Sequence, residues 1–363
     1  MKLIFLAGWA LAAVAQIYPG AAAIDETIET AVVRHQMPGA VVQVGKPGEV
    51  LFRKAYGFRA LTPARTPMTE DTIFDAASLT KVVATTSVVM RLYEQGKIRI
   101  EGLVTDYLPE FQGGQSPITV QQLMTHFSGL RPDVDLEPAW SGYDTGIHLA
   151  LIDKPQNPAG QRFTYSDINF ILIGEMVRRI TGKPVSEVAR EEIFRPLGMN
   201  DTSFLPPDDW RPRIAPTEQE KGMTAPLLGV VHDPTTRYMG GVAGHAGMFT
   251  TAADLGKFAE MMLNEGTYPG GRLFQAETIR RFTSSNSPPS SKVLRGLGWD
   301  IDAPYSALRG EFTGVDMGTG FTGTSLGSIL LRRPGRGAAR QQRSPNAPSA
   351  DQPGSRAFRR SSR

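Results

Sequence analysis

Asp75-Ala-Ala-Ser78-Leu-Thr-Lys81 runs straight into Val82-Val-Ala-Thr-Thr-Ser-Val-Val-Met90. A serine and a lysine three residues apart open an apolar run. In a helix, positions i and i+3 share one face, which brings Ser78 Oγ and Lys81 Nζ side by side. A serine hydroxyl is a weak nucleophile until a neighbouring base takes its proton. A buried lysine with a lowered pKa can be that base. The spacing alone also describes a helix N-terminus with a solvated lysine, because a chain this long holds roughly one Ser-x-x-Lys by chance. The rest of the chain decides between the two.

The chain has 363 residues, 40% hydrophobic and 21% charged, which suits one large two-lobed domain or two domains. It has no cysteine, so a disulfide framework, a thiol nucleophile and a thiolate zinc site are excluded. The five histidines (35, 126, 148, 232 and 245) show no metal-binding spacing, and no metal or cofactor is expected. Residues 327–363 carry nine Arg and one Asp, a surplus of eight positive charges. With a net charge of +3, the remainder stands at −5. The basic balance belongs to the tail and does not point to nucleic acid.

Met1-Lys2 precedes an apolar run from Leu3 to Ala15, then small residues. Residues 1–23 read as a signal peptide, with an uncleaved membrane anchor as the alternative, so a secreted or periplasmic protein is expected. Helical spacing predicts a helix over 24–37, ended by Pro38-Gly39. Residues 40–44 and 50–57 are apolar and β-branched around Gly45-Lys-Pro-Gly-Glu49, which predicts a hairpin. Further helices are expected over 74–96, 97–107, 118–130, 140–152, 169–181, 185–194 and 250–264. Thr251 is the expected N-cap of the last, with Asp254 at its third position. Residues 155–160 read as a loop, and Pro206 to Met239 as a long ordered one. Strands are expected over 297–301 and 320–326. Strands at both ends of the sequence with helices between them predict an α/β (α+β) fold: an antiparallel sheet flanked by helices, with an inserted all-helical lobe. The sheet lobe would come from 24–75 and 240–326, and the helical lobe from about 76–239. The Ser-Lys pair would lie at the seam, where clefts form.

Two later stretches add chemistry. In Phe163-Thr-Tyr165-Ser-Asp167-Ile-Asn169 a loop ends and a helix begins. A tyrosine beside an ammonium can shuttle a proton; a packed aromatic followed by an Asp cap fits the same residues. In Thr319-Gly320-Phe321-Thr-Gly-Thr-Ser325, glycine permits close approach of a substrate backbone, or marks a bulge.

With the three stretches in this order, the chain resembles the serine β-lactamase and penicillin-binding-protein superfamily. It is most similar to the branch holding class C β-lactamases, D,D-peptidases and β-lactamase-like esterases. Pro38-Gly-Ala-Val-Val, Phe74 to Lys81, Ile118 to Leu130, Phe194-Arg-Pro-Leu-Gly-Met199, Val231-His-Asp-Pro234 and Gly244-His245-Ala-Gly-Met-Phe249 carry the likeness from about 36 to 326. The resemblance implies Ser78 as the acylated nucleophile. Lys81 would accept its proton or tune its base, and Tyr165 would be general base and then acid. The backbone N–H groups of Ser78 and Phe321 would form the oxyanion hole. Thr319, Gly320, Asp167 and Asn169 would bind substrate. His126 and His245 read as structural.

The chain departs from the family pattern at three places. Asp167 stands where the branch has Asn, and a carboxylate cannot donate to a substrate carbonyl. Gly318 replaces the Lys or His of the third motif. Residues 327–363 lack the apolar strands that close the family's sheet, and their composition reads as a disordered basic arm or as a shifted reading frame. The expected function is a serine hydrolase acting through an acyl-enzyme on an ester, or on a peptidoglycan-derived D-peptide or related amide. The alternative is a penicillin-binding-like sensor with impaired turnover. The sequence does not indicate the oligomeric state.

Overall fold

In the computed structural model, the described residues are 18–113, 117–302, 316–319, 322 and 324–328. The chain enters through helix α1 (Ala21–Val33), three residues ahead of the expected start. It continues into the hairpin β1 (Gly39–Lys46) and β2 (Glu49–Ala60), with register from Gly39↔Gly57 to Lys46↔Glu49. Asp25 ties α1 to this hairpin, accepting from Tyr56 Oη at 2.6 Å and from Lys54 Nζ at 2.8 Å. Strand β3 (Thr66–Pro67) extends the hairpin sheet.

The expected helix over 74–96 starts later than its apolar pattern suggests. Phe74–Asp75 form strand β4. A turn follows in which Ala77 has φ +44°, a left-handed conformation that no helix contains. Only then does the chain coil, through a π-helical segment Lys81–Thr86 into helix α2 (Ser87–Glu94). Lys81 through Met90 are all buried, so this helix is the axis of the core. Each fully buried Leu, Val or Met contributes roughly 1.5–3 kcal/mol.

The stretches over 97–107 and 118–130 are less helical than expected. They hold a 3₁₀ turn, Val104–Asp106, and the short helix α3 (Val120–Met124). Thr119 and Gln122 cap α3 reciprocally. Left-handed His126 (φ +62°) and Gly129 (φ +82°) end any helical path beyond it. Helices α4 (Tyr143–Ile152), α5 (Asp167–Thr181) and α6 (Val185–Ala189), the last running into a π-turn Arg190–Phe194, match the expected spans. Gly182, at φ +73°, closes α5.

Strand β5 (Ser203–Phe204) leads into the expected long loop, which begins with a 3₁₀ segment, Asp208–Arg213. That loop also holds helix α7 (Pro234–Tyr238), with Asp233 as N-cap and proline at N1. Strand β6 (Met248–Thr250) lies between β4 and β5. Helix α8 (Ala252–Leu263) starts at the expected cap: Asp254 N–H donates to Thr251 Oγ1 at 3.2 Å. The small ribbon β7 (Thr267–Tyr268) and β8 (Gly271–Arg272) and helix α9 (Ala276–Thr283) follow. The last strands are β9 (Leu294–Arg295), β10 (Asp300–Asp302), β11 (Asp316–Thr319) and β12 (Ser325–Ser328), in sheet order β12-β11-β10-β9.

The architecture is therefore antiparallel sheets flanked by helices, with α2 to α7 inserted in the sequence between strands. Two details differ from expectation. The hairpin β1-β2 and the strands β9–β12 belong to separate sheets among the described residues, and α8 packs against both β1 and β12. Of the expected strand over 320–326, Ser325 and Leu326 belong to β12, which pairs antiparallel with β11, Thr319 opposite Ser325 and Gly318 opposite Leu326. Gly320 and Phe321 lie outside the described residues, as do 329–363 of the basic tail and 1–17 of the expected signal peptide.

Candidate active site

The turn before Ser78 is held from several directions. Asp75 is 1% exposed, and its two carboxylate oxygens accept from two backbone N–H groups: Ala77 at 2.8 Å and His232 at 2.7 Å. Burial pushes this carboxyl above the usual range, and the two N–H donors oppose the shift. Ala76 N–H donates to Met248 O at 2.8 Å, fastening the turn to β6. Thr322 Oγ1 donates to Asp75 O at 2.7 Å and Thr324 Oγ1 to Ala76 O at 3.0 Å. Two threonines that follow Thr319-Gly320 are thereby tied to the residues before Ser78. Ala77 keeps its strained backbone because these bonds over-determine it. Ser78 stands next, half-buried, at the start of the helix.

Lys81 lies one turn on and is 2% exposed. Its ammonium reaches three acceptors: Asp167 Oδ1 at 2.6 Å, Ser78 Oγ at 3.0 Å and His245 O at 3.3 Å. The contacts to Ser78 and His245 are hydrogen bonds, and the contact to Asp167 is an ion pair. Burial alone pulls its pKa down, but the Asp167 carboxylate outweighs burial and holds it above the ordinary lysine value. Lys81 is thus a cation that donates to Ser78 Oγ, not a neutral amine awaiting its proton.

Tyr165 is half-buried at the loop end before α5. Its ring lies between two neighbours. The Lys81 ammonium is 4.9 Å from the ring centroid, and the His126 ring stacks at 4.5 Å between centroids with 27° between planes. Asp167 opens α5 and turns its carboxylate to Lys81. Ser78, Lys81, Tyr165 and Asp167 are brought together. Asn169, expected to contact substrate, is not among them. It is fully buried, its Oδ1 accepts from Ser128 Oγ at 2.6 Å, and its Nδ2 lies 3.2 Å from His126 Nδ1. The reason is helical phase: two residues beyond Asp167, position 169 faces the core. Thr319 ends strand β11, while Gly320 and the Phe321 N–H expected in the oxyanion hole lie outside the described residues.

A second charged layer lies behind Lys81. His245 is buried, and its Nε2–H donates to Asp233 Oδ1 at 2.8 Å, with Thr236 Oγ1 at 2.9 Å. Burial lowers the His245 pKa and Asp233 raises it, with a net rise. Asp233 is desolvated too, yet His245 and the Thr236 N–H hold it well below the usual carboxylate range. Donor atoms of Asp167, Asp233 and His245 lie within 4.8 Å of one another, a spacing a cation could bridge. Asp167 is engaged by Lys81, and Asp233 by His245 and the α7 cap, so the cluster acts as an ion-pair network. Gly244 admits this layer: a Cβ there would lie 2.0 Å from Phe170 O. Sequence reasoning did not single out Asp75, Asp233, Thr322 or Thr324. The Asp233-Pro234 pair was the available signal, since Asp before Pro marks a helix start.

The site invites comparison with known proteins. The beta-lactamase family model matches residues 24–340. The chain is 30% identical over 299 residues to a provisionally named D-alanyl-D-alanine carboxypeptidase of Escherichia coli (strain K12), covering 73% of this chain and 68% of that protein. It is 31% identical over 310 residues to an N-acetylmuramyl-L-alanine amidase of Bacillus subtilis (strain 168), covering 76% and 69%. The fold is similar to that of a penicillin-binding protein homologue from Caulobacter crescentus, with TM-score 0.70 and 23% identity over 86% of this chain and 88% of that one. It is also similar to EstCE1, a hydrolase with promiscuous acyltransferase activity, with TM-score 0.67 and 19% identity over 84% and 89%.

Proposed function

Because the chain belongs to the beta-lactamase family, we propose that it is a serine hydrolase working through an acyl-enzyme on Ser78. The observation that carries this reading is the ammonium of Lys81, hydrogen-bonded to Ser78 Oγ beside the Tyr165 ring. An alkoxide forming on Ser78 is stabilised by a donor already in place. Since Lys81 is already a cation, the base is Tyr165. Tyr165 Oη takes the Ser78 proton as Oγ attacks the carbonyl carbon. The C–O or C–N bond then breaks, and Tyr165 returns the proton to the leaving group. Water repeats the cycle in the second half, with Tyr165 as base, and frees Ser78.

The substrate is an ester, or a peptidoglycan-derived D-peptide or related amide. The names of the carboxypeptidase and amidase relatives support the cell-wall class, and the EstCE1-like fold supports the ester. Asp167, paired with Lys81, offers no N–H to a substrate carbonyl, and Gly318 brings no cation to the cleft. Both features lean away from β-lactam recognition. Export fits this class, with residues 1–23 as signal peptide and the hydrolase domain over 24–326. No helix among the described residues is long and apolar enough to cross a membrane.

An activated short-chain ester and a fluorescent penicillin, each given to wild type and Ser78→Ala, test the proposal. Ester turnover that the substitution lowers by about four decades supports it. Burst labelling by penicillin without turnover would favour the sensor reading. Undiminished turnover in Ser78→Ala would remove Ser78 from the mechanism.

A further inference from the structure

Tyr165 sits on a loop, and a base must be held within a few tenths of an ångström of the proton it takes. The residues on either side of it are both bonded to one partner. Thr164 N–H donates to His126 O at 3.0 Å, and Ser166 N–H donates to His126 Nδ1 at 3.2 Å. The His126 ring stacks on the ring of Tyr165 itself. We infer that His126 is the positioning residue for Tyr165: its carbonyl, ring nitrogen and ring face clamp residues 164, 165 and 166 in turn. The inference rests on the reading of Tyr165 as the base.

Three features favour this over simple packing. First, His126 has φ +62°, a conformation unusual for a residue with a side chain. A left-handed backbone directs its carbonyl and its ring to the same neighbouring segment. Second, the ring is fully buried. Burial, with Arg295 and Lys81 nearby, holds its pKa well below the ordinary value, so Nδ1 is free to accept. Third, the remaining proton is then on Nε2, which is buried without a hydrogen-bond partner among the described residues. A phenyl or aliphatic group would fill the same space without stranding that N–H. Histidine at this position is explained by what Nδ1 does. Asn169 and Ser128 complete the support: Asn169 Nδ2 approaches His126 Nδ1 at 3.2 Å, and Ser128 Oγ donates to Asn169 Oδ1 at 2.6 Å.

Two substitutions separate the parts. His126→Phe keeps a ring face and loses Nδ1. His126→Asn keeps an acceptor near that position, tolerates a positive φ and loses the ring. Amide hydrogen exchange across 163–167 reads the clamp without any catalysis. In His126→Phe the Ser166 amide exchanges at least about tenfold faster, while 75–90 exchange as in wild type; in His126→Asn, Ser166 stays protected. Ester kcat per titratable site falls by about 10²-fold in His126→Phe, with KM within about threefold, and His126→Asn recovers most of the loss. Unchanged Ser166 exchange in His126→Phe, or kcat within threefold of wild type, overturns the inference. If the Phe variant does not fold, His126→Asn decides alone: kcat within about tenfold supports the clamp, and a thousandfold loss in folded protein overturns it. Should Ser78→Ala keep full ester turnover, the functional reading fails, and Ser166 exchange still decides whether the clamp exists.

Discussion

Two buried histidines lie near Lys81, and their pKa values are pushed in opposite directions. His126, on the Tyr165 side, is held well below its ordinary pKa by burial, with Arg295 and Lys81 adding to the effect. His245, on the α7 side, is equally buried, yet its pKa is raised. The difference is Asp233, a carboxylate 2.8 Å from His245 Nε2. Burial penalises the charge on both rings, and only a carboxylate within hydrogen-bond reach reverses the outcome. The first ring accepts the Ser166 N–H beside Tyr165. The second is bonded to Asp233 and Thr236, which fastens the 231–239 segment behind Lys81.

The largest effect is expected from removing that carboxylate. Asp233→Asn keeps a cap for α7 but leaves a buried histidine beside Lys81 without its anion, for a loss of about 3 kcal/mol. The pH window follows from the two shifts. Asp233 is depressed, so its contribution is full above the unfolded value of 3.8 and fades as pH falls through its folded pKa. His245 is raised, so its contribution is full below 6.5 and fades as pH rises through its folded pKa. Denaturation of Asp233→Asn should therefore show its greatest loss between about pH 4 and 6.5 and a smaller loss at pH 9. His126 carries the opposite sign: the unfolded chain takes its proton first as pH falls below 6.5, so wild-type stability declines there. His126→Asn removes that component, up to about 1.4 kcal/mol per pH unit. Equal slopes for wild type and His126→Asn between pH 6.5 and 5 would break the contrast.

A smaller effect is expected at Asp167. Asp167→Asn takes the anion from Lys81 and leaves burial, which lowers its pKa. Lys81 then loses its proton at lower pH, and the alkaline limb of kcat/KM should move down by about one unit or more, worth about 1.4 kcal/mol. An unmoved limb would mean that Asp167 does not set the charge of Lys81. The smallest effect is local. Ala77→Gly at φ +44° relieves left-handed strain, less the entropy glycine brings to the unfolded chain, for a gain of about 0.5 kcal/mol. Thermal unfolding reads it, and a loss of stability would show that Ala77 is not strained.

What the sequence revealed was mostly what lies close along the chain. The Ser78-x-x-Lys81 spacing became a 3.0 Å contact, and the Thr251 cap bonds Asp254 N–H as its pattern predicts. The hairpin was visible because its strands and turn lie within about 20 residues. Contacts between distant segments left no local mark. Asp75 meets His232 across 157 residues, and His126 meets Ser166 across 40. The apolar run from Phe74 hid a strand and a left-handed alanine, because periodicity does not register a single reversed φ. Asn169 carries a polar side chain of the kind that binds substrate, but its helical phase relative to Asp167 places it in the core beside Phe170.

The central claim is that Ser78 is the acylated residue. Wild type mixed with an activated ester, quenched within milliseconds and digested, should yield the peptide holding Ser78 heavier by one acyl group, and Ser78→Ala should yield none. An acyl group found on another residue, or ester turnover with no acylated peptide at any quench time, would contradict the account.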